Sequence, residues 1–255
     1  MTVRASCSSW DIGITGRMND FIPGIIVAKN DVKENDEILI VCCKEQGIVS
    51  FYGKGLKKST SKNAYACQLF DLSEFNCDYS DSRSVQLLKS ATLKNDFHGI
   101  KGDYDKLALG SVMLEIIAQL EQEDLFDVLL AGLQLLEKSP EPYLVYGLFV
   151  VRILDYLGIS PAVDGCVVCG SQKNIETISL ADGGFICHDC NKQYHSKPLD
   201  ADFMRRFRII CKASYEVHDR IVAMNLNDYE LVKYLTEFLA MHSGLHVRSF
   251  RSVNY

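Results

Sequence analysis

Two Cys-x-x-Cys pairs constrain this chain more than any other feature of its sequence. Cys166 and Cys169 form the first pair, Cys187 and Cys190 form the second, and 17 residues separate the two pairs. The gap within a pair lets both thiolates point at one ion, and the segment between pairs, with Asp-Gly-Gly at 182–184, has the length of a hairpin that returns to that ion. The spacing therefore predicts one structural Zn²⁺ ion bound by four thiolates at roughly 2.3 Å.

A zinc site of this kind stabilises a fold and performs no chemistry, because four protein ligands leave no open position for water. His188 lies within the second pair and His195 follows it, but with four cysteines in register we expect neither histidine to bind the metal. Two redox-active dithiols are the alternative interpretation, which the ribbon spacing disfavours. The ribbon alone does not identify a function, because ribbons of this kind occur in nucleic-acid enzymes, translation factors and scaffolds.

The other cysteines are scattered along a chain of 255 residues, which argues against a disulfide framework. We expect them to be small buried hydrophobes in a reducing cytoplasm. The longest apolar segment, 143–158, contains Arg152 and Asp155 and is shorter than the roughly 20 residues of a membrane-spanning helix. Residues 1–17 have neither an apolar run nor a cleavage site, so we interpret them as a tag or an upstream extension before a start at Met18.

The segment from residue 18 to residue 95 alternates short apolar runs with turn signals. Strand candidates rich in Ile, Val, Phe and Tyr occupy 24–29, 37–43, 47–54, 64–77 and 83–91. The last of these segments also fits a helix. Several short strands without a convincing helix predict a small barrel or sandwich, of which the five-stranded oligonucleotide-binding barrel (OB-fold) is one member.

The hydrophobic period becomes helical beyond residue 100. Predicted helices occupy 103–122, 124–138, 139–158, 200–214 and 227–244. Ser139 and Pro140 are placed for an N-cap and a first helical position, and Gly158 for a C-terminal stop. The predicted organisation is a β module (18–95) and a helical domain in two parts (96–165 and 199–255), with the ribbon (166–198) inserted between the parts.

The distribution of charge limits how the chain can contact nucleic acid. The net charge is −6, and residues 96–165 hold 4 Lys/Arg against 12 Asp/Glu, whereas the segments on either side are close to neutral. A DNA contact must therefore use a local basic patch. The acidic helical part is predicted to be a protein-docking surface.

One such patch is the lysine loop, which we define as residues 53–62. Tyr52 directly precedes it, and the loop contains no acidic residue but four lysines: Lys54, Lys57, Lys58 and Lys62. Ammonium groups can follow the phosphates of a single strand while aromatic rings stack on its bases. The alternative interpretation is a solvated, flexible loop whose lysines serve solubility.

Two further basic clusters lie in the second half of the chain. Arg205 and Arg208 share one helix face with Lys212, and Arg248 lies near the C-terminus with Arg251. We predict that Arg205, Arg208 and Arg248 assist DNA binding. Taken singly, each cluster also fits an ordinary polar surface.

The order and spacing of these features resemble the RecO family of bacterial recombination mediators and DNA repair proteins. The resemblance covers residues 24 to about 252. Its most specific stretch is a Leu-Gly-x-x-Pro helix end (157–161) that runs into Cys-x-x-Cys-Gly (166–170). Further matching segments are "GIIVAKNDVKENDEILIV" at the start, "DGGFICHDC" in the ribbon and "LTEFLAMHSGLHVRSFRS" at the end. The chain departs from many relatives in having lysines where they are richer in arginine.

The resemblance implies an α+β multidomain protein with an N-terminal five-stranded OB-fold barrel and a C-terminal helical domain carrying the four-cysteine zinc ribbon. It also implies that 83–91 is the fifth strand. The expected protein is non-enzymatic and nucleoid-associated in the cytoplasm, binds single- and double-stranded DNA and anneals complementary strands. Its expected partners are RecR and the C-terminal tail of single-strand-binding protein (SSB), and it helps RecA load onto SSB-coated strands.

Two other classes of function stay open. A nucleic-acid enzyme with a structural zinc would need a catalytic group, and the best candidates, Asp103, Asp105 and Asp124 with His98, fit helix caps and solvated charges better. The chain also lacks a Gly-x-x-x-x-Gly-Lys-Ser/Thr phosphate loop. A protein-interaction scaffold without DNA affinity is the third class.

Overall fold

The computed structural model describes residues 21–120 and 124–253. A curled, strand-rich part is followed by a helical part, and a small two-stranded ribbon is inserted in the helical part. This arrangement confirms the predicted fold class. The predicted extension at 1–17 and the start at Met18 lie outside the described residues.

Six strands form the N-terminal sheet, in the order β5-β3-β2-β1-β4-β6. Their bounds are β1 Phe21–Asp31, β2 Glu37–Cys43, β3 Gly47–Gly53, β4 Leu72–Asn76, β5 Gln86–Leu87 and β6 Ser90–Asn95. The strands expected at 24–29, 37–43 and 47–54 are confirmed as β1, β2 and β3, which pair as an antiparallel meander.

The predicted count of five strands is wrong, because two segments divide differently. The segment 64–77 forms a 3₁₀ turn, Ala64–Ala66, and only then β4, since the chain reverses at Phe70 with a φ of +73°. The segment 83–91 is not one strand either, because its first part pairs with β3 as β5 and the chain then crosses to β4 as β6.

The sheet curls into an OB-like half-barrel, and a pair of adjacent residues closes it. Leu88 N–H donates to the carbonyl of Tyr52 in β3 at 3.1 Å, and Lys89 N–H donates to the carbonyl of Asn76 in β4 at 2.9 Å. Leu88 and Lys89 are adjacent in sequence, yet they bond to β3 and β4, which two other strands separate in the sheet. The two edge strands, β5 and β6, must therefore lie close together. Phe51 and Phe75 stack inside with ring centroids 5.1 Å apart.

Eight helices follow in the described part of the chain. Their bounds are α1 His98–Lys101, α2 Tyr104–Gln119, α3 Leu125–Lys138, α4 Pro142–Tyr156, α5 His188–Tyr194, α6 Ala201–Cys211, α7 His218–Ile221 and α8 Tyr229–Ser243. None of those helices is long and apolar enough to cross a membrane. The expectation that α4 begins at Ser139 and Pro140 is wrong: it begins at Pro142, and the Ser139 hydroxyl accepts from the Glu141 N–H at 3.1 Å. Gly158 follows α4 with a φ of +69°, as predicted for its stop.

The barrel has an apolar core of its own, and its outer face packs into the apolar core of the helical part. Alternate residues of β1 point in opposite directions: Ile22 and Ile26 face the barrel interior, whereas Ile25 and Val27 pack into the helical core. An ion pair reinforces this junction, because Asp71, only 1% exposed, lies 2.8 Å from Lys101 Nζ. The barrel thus packs against α1 to α3.

Candidate metal centre and nucleic-acid interface

A hairpin and a short helix bring the cysteine pairs together. Strands β7 (Ile175–Ser179) and β8 (Gly184–Cys187) form the hairpin, and α5 starts directly after Cys187. The first pair is fastened to the same hairpin, because Val167 N–H donates to the carbonyl of Phe185 at 2.8 Å. The segment between the pairs therefore forms the hairpin that its length predicts.

The four sulfur atoms form a compact cluster. The Sγ atoms of Cys166, Cys169, Cys187 and Cys190 all lie within 4.8 Å of one another, and those of Cys169 and Cys187 are 3.6 Å apart. Four sulfurs in a tetrahedron around zinc at about 2.3 Å are separated by roughly 3.8 Å. The cluster can therefore hold a metal ion, and its donor set is that of a structural site.

The surroundings of the cluster favour the thiolate at Cys166 and the protonated thiol at Cys190. Burial by itself raises the pKa of Cys166, but N–H donors from Cys187, Cys169 and Val168 outweigh it and lower that pKa to about 6. The pKa of Cys190 is raised to about 12, chiefly by its hydrogen bond with Cys169. Because metal ligands bind as thiolates, a divalent cation held by the four sulfurs would displace the remaining thiol protons.

Neither nearby histidine belongs to the cluster. His188 Nδ1 lies 3.1 Å from Glu176 Oε1, and Asn191 donates to the other oxygen of the same carboxylate at 3.0 Å. His195 ends α5 in a left-handed conformation and is exposed. Glu176 therefore ties α5 to β7 beside the cysteines.

The ribbon is anchored on the helical part through its two ends. At one end, His242 Nε2 in α8 lies 2.6 Å from the carbonyl oxygen of Leu180 at the hairpin turn. At the other end, Asp164 accepts hydrogen bonds from Lys212 at 2.7 Å and from Arg208 at 2.8 Å. Those two cations lower the pKa of Asp164. These hydrogen bonds join the ribbon and the segment before it to α8 and α6.

The lysine loop leaves β3 and is held at its base. The Tyr52 hydroxyl donates to one oxygen of Asp36, and the Gly55 N–H donates to the other at 2.7 Å. The hydrogen bond from Tyr52 lowers the pKa of Asp36 and raises that of Tyr52. Gly55 has a φ of +68°, which suits a residue without a Cβ. The ring of Tyr52 is half-buried, so this side chain orders the loop.

The four lysines of the loop differ in whether their ammonium groups are paired with a carboxylate. Lys57 Nζ pairs with Asp31 at 2.8 Å. Lys54, Lys58 and Lys62 are exposed, and no carboxylate within the described ranges lies within 4.0 Å of their ammonium groups. Three ammonium groups are therefore available to an anionic ligand.

Removing the Tyr52 hydroxyl should loosen the base of the loop. In Tyr52→Phe, Asp36 loses one of its two donors, so we expect faster amide hydrogen exchange at Gly55 and Lys57. The lowered pKa of Asp36 means that the contact is intact above the ordinary pKa of 3.8 and is lost as pH falls through the folded value. Tyr65→Phe is the matched control, and equal exchange in both variants would contradict the role of Tyr52.

The other predicted basic residues lie in different surroundings. Arg205 pairs with Asp202, and Arg208 pairs with Asp164, so much of their charge is used within the protein. Arg248 is exposed, and its backbone N–H donates to Glu115 at 3.0 Å. The structure therefore separates Arg248 from the α6 arginines, and their contribution to DNA binding stays a prediction.

Arg248 borders a groove that was not foreseen from the sequence. This junction groove, of about 430 Å³, lies between β1, Leu69, α2 and the C-terminal segment. The register of β1 shifts between Ile26 and Ala28, and Val27 and Ala28 both line the groove. Only the fold brings residues 27, 69, 115 and 248 together, so no local pattern could have revealed the groove.

Comparisons with known proteins cover both halves of the chain. The family model "Recombination protein O N terminal" matches residues 18–97, and "Recombination protein O C terminal" matches residues 101–251. The latter match alone spans more than half of the chain, and the two matches meet where the barrel joins α1.

Curated relatives agree with these matches along nearly their full length. The DNA repair protein RecO of Caldanaerobacter subterraneus subsp. tengcongensis is 25% identical over 232 residues, which are 88% of this chain and 93% of the relative. The DNA repair protein RecO of Bacillus subtilis is 24% identical over 234 residues, 89% of this chain and 91% of the relative. The protein of the same name from Exiguobacterium sibiricum is 25% identical over 240 residues, 92% of this chain and 96% of the relative. On the two family models and these relatives, the chain belongs to the RecO family of DNA repair proteins.

Proposed function

We propose that this protein is a non-enzymatic recombination mediator in DNA repair. It binds single- and double-stranded DNA, anneals complementary strands and, with RecR, helps RecA load onto SSB-coated single strands. The observation that carries this proposal is the family match over both parts of the chain, whose relatives are named as DNA repair proteins. The OB-like barrel is consistent with it, because barrels of this type bind oligonucleotides.

The lysine loop is the proposed principal DNA contact. Its three unpaired ammonium groups project from an ordered base, whereas Arg205 and Arg208 share their charge with acidic neighbours. Phosphate contacts release counterions, so binding should weaken linearly on a logarithmic salt scale, with a slope of about −0.7 per contact for a single strand. The acidic segment 96–165 would repel a DNA backbone, which supports a role as a protein-docking surface.

The proposed cofactor is one Zn²⁺ ion bound by Cys166, Cys169, Cys187 and Cys190. Four thiolates select zinc over hard cations such as Mg²⁺ and Ca²⁺, and they fill its tetrahedral shell. The ion would supply folding energy to the ribbon. The chain's own residues position the DNA.

The proposal of a non-enzymatic role rests on the candidate carboxylates. Asp103 caps α2 by accepting from the Lys106 N–H at 3.1 Å, and Asp124 precedes α3 at its N-cap position. The side chain of Asp124 makes no capping hydrogen bond, and within the described residues neither carboxylate belongs to a group of His, Cys, Asp or Glu that could hold a metal ion.

The experiment that tests this function is binding of fluorescent single- and double-stranded oligonucleotides at low salt, read by anisotropy. We expect saturable binding that weakens as salt rises. Incubation of the same DNA with Mg²⁺ or Mn²⁺ should leave it uncut. A flat binding curve would favour the scaffold, and metal-dependent cleavage would favour the enzyme.

A further inference from the structure

An exposed tyrosine follows the lysine loop in the sequence and precedes Leu69, which lines the junction groove. Tyr65 lies in the 3₁₀ turn Ala64–Ala66 with 60% of its surface exposed, and Leu69, which lines the groove, is 41% exposed. Lys62, Tyr65 and Leu69 are close in sequence, so the stretch from Lys62 to Leu69 spans at most about 25 Å even if extended. Exposed apolar side chains beside free ammonium groups are typical of a surface that receives unpaired bases.

The groove itself combines apolar walls with a cationic rim. Val27, Leu69 and Ala118 are among its apolar lining residues, and Arg248 and His246 line it as well. Such a mixture suits a planar base flanked by a phosphate better than a purely apolar ligand.

The one carboxylate of this groove is already engaged. Glu115 accepts hydrogen bonds from the backbone N–H groups of Arg248 at 3.0 Å and Ser249 at 2.9 Å, and from the Ser249 hydroxyl. Gln119 bonds in both directions with the backbone of His246, at 3.0 and 3.1 Å. The backbone of the C-terminal segment is thus fixed along α2, with the exposed Arg248 beside the groove, and both carboxylate oxygens of Glu115 already accept hydrogen bonds from this segment.

We propose that a single strand leaving the lysine loop stacks a base on Tyr65 and places the following base in the junction groove, where Arg248 contacts its phosphate. This inference rests on the proposed function, because it extends the DNA path beyond the lysine loop. An OB-fold contacts about 4–16 nucleotides, which is enough to run from the loop to the groove. A paired base cannot enter, so the site distinguishes single strands from duplexes.

The test compares Tyr65→Ala with Tyr65→Phe, and uses Tyr156→Ala on α4 as a matched exposed tyrosine. Binding is measured with single-stranded oligonucleotides containing 2-aminopurine and with a duplex. We expect Tyr65→Ala to weaken single-strand binding by about 5- to 100-fold, the effect of one lost stacking contact. Its salt slope and duplex affinity should stay unchanged, and the Phe and Tyr156→Ala variants should bind as the parent does. Arg248→Ala should reduce the salt slope by about 0.7.

The outcomes separate this inference from the function on which it rests. If the parent binds single strands and Tyr65→Ala binds equally well, the groove inference is wrong and the proposed function stands. If Arg248→Ala weakens binding of an acidic peptide and leaves DNA binding unchanged, the groove is a peptide site and the inference is overturned. A parent without DNA affinity contradicts both.

Discussion

Replacing Cys169 or Cys190 with serine is expected to release the metal and unfold the ribbon. A serine hydroxyl does not replace a thiolate, and metal binding is coupled to folding of the segment that supplies the ligands. Because His242 and Arg208 fasten the ribbon to α8 and α6, the damage should spread into the helical part. The expected loss is about 4 kcal/mol or more, which corresponds to a fall in Tm of roughly 10 °C for a chain of this size.

The measurements are metal analysis of the purified parent and thermal unfolding of the variants. One zinc ion per chain is expected in the parent and none in either variant. The matched control is Cys211→Ala, which removes a half-buried cysteine outside the cluster and should keep the metal. A parent without zinc, together with a cysteine variant that melts as the parent does, would contradict the structural metal site.

Replacing the four lysines of the loop with alanine is expected to abolish most DNA affinity. Lys54, Lys58 and Lys62 carry unpaired charge, so their loss should lower the salt slope for a single strand by about 2. Affinity at low salt should fall on the order of 10- to 100-fold. Lys57 pairs with Asp31, so Lys57→Ala alone should cost less than Lys58→Ala.

Anisotropy titrations at several salt concentrations measure both quantities. The control removes four other exposed lysines, Lys138, Lys173, Lys192 and Lys197, and therefore changes the net charge equally. An equal loss of affinity in the control would indicate that DNA responds to the net charge of the protein and not to the lysine loop. Unchanged affinity and slope in the loop variant would show that the DNA contact lies elsewhere.

The parts of the fold that could be predicted are those with strong local patterns. Strands β1, β2 and β3 follow from apolar runs bounded by turn residues, and the ribbon follows from the spacing of its cysteines. The division at Phe70 could not be predicted, because a bulky aromatic residue rarely adopts a positive φ. Tertiary packing imposes the φ of +73° at this buried residue, and no local sequence pattern signals it. The start of α4 was misplaced because Pro140 and Pro142 both suit a first helical position.

The candidate sites likewise combine features that are local in sequence with features that only the fold creates. The metal ligands lie within 25 residues of one another in sequence, so their grouping is readable from spacing. The pairing of Arg208 with Asp164 joins residues 44 apart, and the groove joins Leu69 to Arg248. Contacts at such separations depend on how helices and barrel pack, and this is why the ion pairs of Lys57 and Arg208 could be recognised only in the structure.

Annealing of complementary strands precoated with SSB tests the central claim most directly. Fluorescence would follow strand pairing with the parent and with the four-lysine variant at equal concentrations. The account predicts that the parent accelerates annealing and that the variant loses most of this acceleration. Absence of acceleration by the parent would contradict the mediator function. Only the family membership would then stand.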